Sequence, residues 1–185
     1  MSAAYTLFDT AIGRCGIAWR DDAVAGFLLC GEDGDGGIAR FVGRHDAVPA
    51  EPPPAIADAI DRVRRLLSGE RLDLADIPVT LDVPDFERRV YAALRLVPPG
   101  ETITYGALAA RVGSPGAAQA VGAAMGRNPI PVIIPCHRVL AGAGKAGGFS
   151  APGGVATKFR ILQLEQAGRG GDGLLFDELP LAVKR

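Results

Sequence analysis

Two prolines frame an apolar run, and three chemically active side chains follow the second proline directly. Residues 131–139 read Pro-Val-Ile-Ile-Pro-Cys-His-Arg-Val. The β-branched run predicts a buried strand. A thiol becomes a good nucleophile as thiolate, which a neighbouring base and nearby positive charge favour. Because Cys136, His137 and Arg138 supply thiol, base and positive charge, the segment predicts a nucleophile presented at the rigid end of a strand.

Two readings of the Cys136–His137 pair stay open on these residues alone. Successive residues of a strand point to opposite faces, so the thiol and the imidazole meet only if the backbone turns here. A cysteine after Ile-Ile-Pro can also be a core residue, since free cysteine is among the most buried types. The pair by itself is consistent with a catalytic thiol and with a packed one.

The N-terminal part of the chain predicts a small β-rich unit. The acidic, glycine-rich stretch Glu32–Gly37 predicts a loop. Helical spacing predicts a helix over Ile56–Leu67, and Pro78–Leu81 is a strand candidate. We place a domain boundary near Pro84, which gives an N-terminal α/β domain over residues 1–83. Three strands are predicted before the loop, separated by short turns: Tyr5–Thr10, Cys15–Arg20 and Ala23–Cys30.

Residues 84–168 predict a second, mostly helical domain, and residues 169–185 a C-terminal tail. Between the second and third predicted helices lies a short glycine turn, and helix-turn-helix is a pattern typical of DNA-binding proteins. Thr104 is the predicted N-cap of the second helix, and Ser114 that of the third. A glycine-rich loop is predicted over Ala141–Gly154. The predicted helices are Phe86–Val97, Thr104–Val112, Ser114 to about Met125, and Val155–Gln166.

One face of the third helix is almost bare of side chains. Gln119, Gly122, Ala123 and Gly126 share it by their spacing. Glycine lowers helix stability, so its presence needs a reason. Close helix packing is one reason, and approach to a narrow DNA groove is the other. The residues alone leave both open.

Charge separates the two predicted domains. Residues 1–84 hold 14 acidic and 8 basic side chains, and residues 85–168 hold 4 acidic and 9 basic ones. A basic half beside an acidic one predicts that the basic half faces a polyanion. The N-terminus shows no signal-peptide pattern and no apolar run is long enough for a membrane span. Three cysteines without framework spacing suit a reducing compartment, so we predict a cytoplasmic protein.

The segment from Asn128-Pro129-Ile130-Pro131 to Val139 closely resembles the active site of the O6-alkylguanine-DNA alkyltransferases (methylated-DNA–protein-cysteine methyltransferases). The likeness extends over about residues 86–165. It implies an α/β fold of the α+β type, with a small RNase H-like, β-rich N-terminal domain and a mostly helical C-terminal domain with a helix-turn-helix. It also implies a single-turnover DNA repair protein that moves the alkyl group of O6-alkylguanine, and of O4-alkylthymine, to its own cysteine.

The resemblance assigns catalytic roles to four residues. It implies that Cys136 accepts the alkyl group and that His137 takes its proton through water. It implies that Glu165 orients His137 and that Asn128 braces the turn near the cysteine.

The resemblance also assigns four residues to the substrate. It implies that Tyr105 donates to a guanine ring nitrogen and that Val139 offers its carbonyl to the guanine amino group. It also implies that Ser150 meets O6 through its backbone amide, and Lys158 matches a lysine near the end of the pocket loop. The loop segment Gly147–Gly154 is two residues longer than the shortest form in the family, which predicts a different tolerance for alkyl size.

For DNA, the resemblance implies minor-groove contact by the third helix through Ala118, Gln119, Gly122 and Ala123, and a further contact by Arg138. The family places an arginine, which supports the flipped-out base, at the position of Gln119. Glutamine lacks the charge and the planar fork of arginine. We therefore expect weaker flipping from duplex DNA.

The resulting hypothesis is a monomeric alkyltransferase that binds double- or single-stranded DNA, needs no metal or cofactor and does not bind membranes. Cys15, Cys30 and His45 are conceivable zinc ligands, but their spacing fits no zinc pattern and predicts core residues. One alternative is a non-catalytic lesion sensor, against which Cys136 argues. The other is an alkyl acceptor for small-molecule or single-stranded substrates, which Gln119 would tolerate.

Overall fold

A computed structural model describes residues 3–29, 34–142 and 147–166 of the chain. Its N-terminal sheet has four strands in the order β3-β2-β1-β4. The first three form an antiparallel meander, and β4 pairs in parallel with β1. The three predicted strands are thereby confirmed, with Cys30 outside the described residues. The strands are β1 (Ala3–Thr10), β2 (Gly13–Arg20), β3 (Ala23–Leu29) and β4 (Ala47–Pro49).

Two helices accompany this sheet, and one of them was not predicted. α2 (Pro54–Leu67) is the predicted helix, and it buries its apolar stripe. α1 (Gly34–His45) includes part of the stretch predicted as a loop, so that prediction was wrong from Gly34 onward. Glycines lower the intrinsic helix propensity of this stretch. Tertiary packing overrides it, since Phe41 is buried against the sheet beside Gly16.

The strand expected over Pro78–Leu81 is also wrong. This segment makes a single parallel bridge between Val79 and Val24 of β3. The amide of Val24 donates to the Pro78 carbonyl at 2.9 Å, and the amide of Thr80 donates to the Val24 carbonyl at 2.8 Å. These bonds cover part of the β3 edge.

The C-terminal part is mostly helical, and the expected fold class is confirmed. A short parallel pair, β5 (Ile103–Thr104) with β6 (Val139–Leu140), ties the segment after the cysteine to the start of the helix-turn-helix. The helices are α3 (Asp85–Arg95), α4 (Tyr105–Arg111), α5 (Ala118–Gly126) and α6 (Gly154–Leu164).

The helix-turn-helix differs from its prediction at one boundary. Thr104 caps α4 as predicted, because its hydroxyl accepts from the Ala107 amide at 3.1 Å. α5 begins at Ala118 rather than just after Ser114. Gly116 has φ of +87°, a left-handed conformation that ends any helical path through the Ser-Pro-Gly stretch. The turn between the helices is therefore longer than expected.

Candidate active site

The segment before the cysteine is a turn, not the expected strand. The Ile134 amide donates to the Ile130 carbonyl at 2.8 Å, which folds residues 130–134 back on themselves. Val132 at the tip has φ of +74° and is 1% exposed. A β-branched residue in the left-handed region is strained, and packing must hold it there. The apolar run thus predicted burial correctly but the wrong backbone shape.

Asn128 joins the two ends of this turn. Its side-chain Nδ2 donates to the Ile134 carbonyl at 2.8 Å, and its Oδ1 accepts from the Ile130 amide at 3.0 Å. The adjacent Pro129 carbonyl accepts from the Phe27 amide of β3 at 2.9 Å. The turn is therefore held from inside by Asn128 and from outside by the N-terminal sheet.

The backbone turns again at the cysteine. Pro135 has φ of −81° and ψ of 64°, and the Cys136 amide donates to the Ile134 carbonyl at 2.8 Å, which is an inverse γ-turn. A single turn of 3₁₀-helix follows over Cys136–Arg138. Strand alternation therefore does not apply, and the thiol and the imidazole need not point to opposite faces.

A buried ionic network lies behind the cysteine. The His137 Nε2 lies 3.0 Å from Oε1 of Glu165. Arg138 donates to the same carboxylate twice, from Nε at 3.0 Å and from Nη2 at 2.6 Å. All three side chains are at most 3% exposed. Burial alone would raise the pKa of Glu165, but His137 and Arg138 together hold that pKa well below its ordinary value.

This network fixes the proton on the imidazole. Burial lowers the pKa of His137, and Glu165 only partly offsets that effect, so the ring is neutral at pH 7. The Glu165 carboxylate can only accept, so the hydrogen bond assigns the ring proton to Nε2. Nδ1 is then an unprotonated acceptor, buried and without a hydrogen-bond partner among the described residues. His137 is thus prepared to take up a proton at Nδ1.

The thiol itself is not activated in advance. Burial raises the pKa of Cys136, while Asn128 and the charge of Lys158 act in the opposite direction without overcoming it. A protonated thiol is a weak nucleophile, so the site needs a base.

Lys158 is buried next to this thiol. Its Nζ donates to the Val139 carbonyl at 2.5 Å and lies 3.4 Å from the Gly148 carbonyl. Burial lowers the pKa of Lys158 to about 8. The ammonium therefore connects β6 to the loop over the site.

The cavity in front of the thiol, which we call the base pocket, has a volume of about 470 Å³. Its wall includes Tyr105, Gly122, Phe149 and Ser150 together with Cys136. Burial raises the pKa of Tyr105, so its hydroxyl stays protonated and can donate a hydrogen bond. Tyr105, Ser150 and the thiol, which the sequence analysis named separately, thus come together around one cavity.

The predicted DNA-facing residues of α5 lie on one side of the base pocket. Ala118, Gln119 and Gly122 line a shallow groove of about 480 Å³ that also borders Tyr105. Gln119 and Ala123 are exposed. This face is open at Gln119 and Ala123, whereas Gly122 lies beside the Tyr105 ring.

Arg138 does not belong to that surface, and its predicted DNA contact was wrong. The residue is 2% exposed. Its guanidinium is bound to Glu165 and, through Nη1, to the Val97 carbonyl at 2.5 Å. A guanidinium used in this way inside the protein cannot reach phosphate.

Sequence reasoning missed a second buried carboxylate near the turn. Glu87 of α3 is 6% exposed and accepts from Arg127 at 2.9 and 2.7 Å. Tyr91, one turn further along α3, donates to the Ala124 carbonyl at 2.7 Å. The i, i+4 spacing of Glu87 and Tyr91 was visible in the sequence, but their partners, 40 and 33 residues away respectively, were not.

Among the described residues there is no cluster of three or more His, Cys, Asp or Glu side chains suited to a metal ion. The same ranges hold no helix that is long and apolar enough to cross a membrane.

Comparisons with known proteins, by sequence and by structure, point to the same family. The family described as "6-O-methylguanine DNA methyltransferase, DNA binding domain" matches residues 85–167. The chain is 42% identical over 125 residues to a methylated-DNA–protein-cysteine methyltransferase of Mycobacterium bovis, covering 68% of this chain and 74% of that protein. It is 35% identical to the Mycolicibacterium paratuberculosis protein of the same name over 173 residues, 94% of this chain and 98% of that one.

The comparison with solved structures gives a similar protein. A crystal structure of Mycobacterium tuberculosis OGT in complex with DNA superposes with a TM-score of 0.74 at 35% identity. The match covers 89% of this chain and 94% of that one.

Proposed function

The chain belongs to the methylated-DNA–protein-cysteine methyltransferase family, and from that premise we propose that Cys136 is the sulfur that takes the alkyl group. The protein repairs DNA by transferring the alkyl group of O6-alkylguanine to its own cysteine, once per molecule. The observation that carries the assignment is the buried hydrogen bond between His137 Nε2 and Glu165, directly next in the chain to a thiol that lines the base pocket.

The reaction that we propose begins with proton removal. His137 accepts the thiol proton at Nδ1, through a water molecule, and Glu165 stabilises the imidazolium that forms. The thiolate attacks the alkyl carbon in line with the C–O6 bond. The S–C bond forms as the C–O6 bond breaks, and the electron pair goes to the guanine ring. The proton taken from Cys136 balances the one that guanine gains, so the products are S-alkylcysteine and neutral guanine.

Tyr105 is our candidate for the group that helps guanine to leave. Its hydroxyl stays protonated and borders the base pocket, so it can donate to a ring nitrogen that gains electron density. The Ser150 amide remains our proposal for the contact to O6.

Val139 and Lys158 act together in this scheme. The Val139 carbonyl already accepts from Lys158, and its second lone pair remains for the guanine amino group. The role of Lys158 is thus to hold that carbonyl and the pocket loop while its charge supports the developing thiolate.

The protein binds DNA, and we propose that the small face of α5 enters the minor groove. Side-chain bulk limits approach to that narrow groove, and this face carries Gly122 and Ala123. Gln119 is the side chain that we expect to fill the space left by the flipped nucleotide. Action as a monomer, a cytoplasmic location and repair of O4-alkylthymine are further parts of the proposal.

Peptide mapping by mass spectrometry tests the assignment. After incubation with an oligonucleotide that carries O6-methylguanine, we expect one added methyl group on the peptide that contains Cys136. The Cys136→Ser variant should bind the same DNA and gain no methyl group. Methylation that survives in this variant, or that maps to another cysteine, would refute the role of Cys136.

A further inference from the structure

A buried acid on α3, which the proposed reaction does not use, holds the end of α5. Glu87 is 6% exposed, and its Oε1 accepts from Nε and Nη2 of Arg127 at 2.9 and 2.7 Å. Arg127 is the C-cap residue of α5, and its side chain is 61% exposed. A buried carboxylate is costly unless it is paired, so this contact is strongly favoured. The acid thus fixes a side chain that solvent would otherwise leave free.

A second contact from α3 reaches the same turn of α5. Tyr91 is fully buried, and its hydroxyl donates to the Ala124 carbonyl at 2.7 Å. That carbonyl also accepts from the backbone amide of Arg127 at 3.1 Å. Burial raises the pKa of Tyr91, so its hydroxyl remains protonated and able to donate. Glu87, Tyr91 and Arg127 together form what we call the α3 clamp.

The clamped end of α5 leads directly into the turn of residues 130–134. The Asn128 amide donates to the Met125 carbonyl at 3.3 Å, so Asn128 is still hydrogen-bonded to the last turn of α5. Its side chain joins the two ends of the 130–134 turn and acts against the burial that raises the pKa of Cys136. Because Arg127 directly precedes Asn128, a shift of Arg127 would displace the amide that supports the thiolate.

We propose that Glu87 and Tyr91 are positioning residues for alkyl transfer, which act through the end of α5 and Asn128 on the Cys136 thiol. The inference rests on the proposed function. Both act at a distance, because the wall of the base pocket is formed by other residues. Their contacts set where α5, the helix assigned to DNA, ends relative to the sulfur. Reacting groups must be held closely, since a misplacement of about 1 Å can lower a rate by about 10²-fold.

Two substitutions each remove one clamp contact and keep most of the packing. Tyr91→Phe deletes the hydroxyl, and Arg127→Gln removes the charged partner of Glu87. Arg127→Lys keeps the positive charge without the planar fork and serves as the conservative rescue. Arg88→Gln is the matched control, because Arg88 is the neighbour of Glu87 on α3 and its ion pair with Asp85 is solvent-exposed.

The experiment measures single-turnover transfer from free O6-benzylguanine at increasing concentrations, on samples shown to be folded by circular dichroism. Tyr91→Phe and Arg127→Gln should each lower the maximal rate constant by about five- to tenfold. The half-saturating concentration should stay within about twofold, because the base pocket is unchanged. Arg127→Lys should recover most of the loss, and Arg88→Gln should change neither value. The double variant should lose less than the product of the single losses, because both contacts act on one turn.

The pH dependence separates positioning from a purely structural role. Displacing Asn128 weakens its support for the thiolate, so the thiol pKa should rise in the two clamp variants. Their loss of rate should therefore be greatest at about pH 7 and should shrink toward about pH 10, as the thiolate forms without that support. Alkylation of Cys136 by iodoacetamide, followed by peptide mapping, should show the same pH dependence without any guanine substrate.

Three outcomes would overturn the inference. The first is an unchanged rate in either Tyr91→Phe or Arg127→Gln. The second is a loss that is equal at every pH or that follows the unfolded fraction, which would make the clamp structural. The third is an equal loss in Arg88→Gln, which would trace the effect to the charge of α3.

The failure of this inference and that of the proposed function are distinguishable. Normal methyl transfer by the wild type with any of these three outcomes would leave the proposed function intact. Absent methyl transfer, with iodoacetamide alkylation that depends on the clamp in the expected way, would refute the function while the action of the clamp on the thiol would still hold.

Discussion

The surface of α5 and the interior behind Cys136 differ in how many charged side chains they hold, and the difference is the reverse of the usual one. α5, the helix assigned to DNA, contains no charged side chain. Behind the thiol, His137, Arg138, Lys158 and Glu165 are all at most 2% exposed. Charged residues normally lie on the surface, and burying them is costly unless they are paired. We therefore propose that recognition at α5 depends on shape, while the buried charges serve the chemistry.

This contrast predicts that substitutions in the two regions have effects in different assays. Changes in the interior should affect stability and transfer from every substrate, including free O6-benzylguanine. Changes on α5 should affect only transfer from DNA.

The largest stability effect is expected at Glu165. Glu165→Gln would leave the buried guanidinium of Arg138 without its counter-charge, which typically costs about 3–5 kcal/mol. Denaturant unfolding at pH 7 measures this loss. Asp76→Asn is the matched control, because it breaks a carboxylate–Arg62 pair whose carboxylate is 74% exposed and should cost at most about 1 kcal/mol. Equal losses in the two variants would show that burial does not distinguish the pairs.

The same carboxylate sets a pH dependence. Because the folded-state pKa of Glu165 is held below its ordinary value, its contribution to stability is complete above about pH 4.3. That contribution is lost as pH falls from there through the folded-state pKa. Glu165→Gln should therefore show a weaker loss of stability in acid than the wild type.

A smaller, substrate-dependent effect is expected on α5. Flipping a base costs a few kcal/mol, least in single strands, and arginine supports the flipped state better than glutamine. Gln119→Arg should therefore speed transfer from duplex DNA by about tenfold, which corresponds to roughly 1.4 kcal/mol. The rate with free O6-benzylguanine should stay the same. If both rates rise together, Gln119 acts on the interior and the contrast between the regions fails.

The smallest effect concerns the strained turn between the two regions. Alanine is normally more stable than glycine by about 0.5–1 kcal/mol within regular structure. At Val132 the order should reverse, because φ is +74° there. Val132→Gly should thus unfold at higher denaturant concentration than Val132→Ala. The normal order would mean that this turn carries no strain.

The sequence predicted most of the scaffold because the scaffold obeys periodic rules. The strand patterns of β1–β3, the stripe of α2 and the cap at Thr104 are local signals. α1 could not be predicted in this way, because its helix depends on Phe41 packing against a sheet formed earlier in the chain.

The membership of the active site stays a prediction, and the structure corrects the backbone shape expected for it. Cys136, His137, Glu165 and Asn128 were named from the motif, yet the strand expected before the cysteine is a double turn. Burial of Arg138 followed from a carboxylate 27 residues away, which no local pattern reveals. Non-local pairing of buried charge is the part of this site that sequence periodicity does not encode.

The central claim is that His137 acts as a neutral base for a thiol that is not ionised in advance, and pH dependence tests it most directly. The measurement is the transfer rate from free O6-benzylguanine between about pH 6 and pH 10 for the wild type and His137→Ala. Since the pKa of His137 is lowered, the wild-type rate should be nearly constant above about pH 6.5. His137→Ala should be slower by about 10²–10⁴-fold at pH 7, and its rate should rise with pH as the thiolate forms unaided. An equal loss at every pH would contradict the account, because His137 would then be a structural residue.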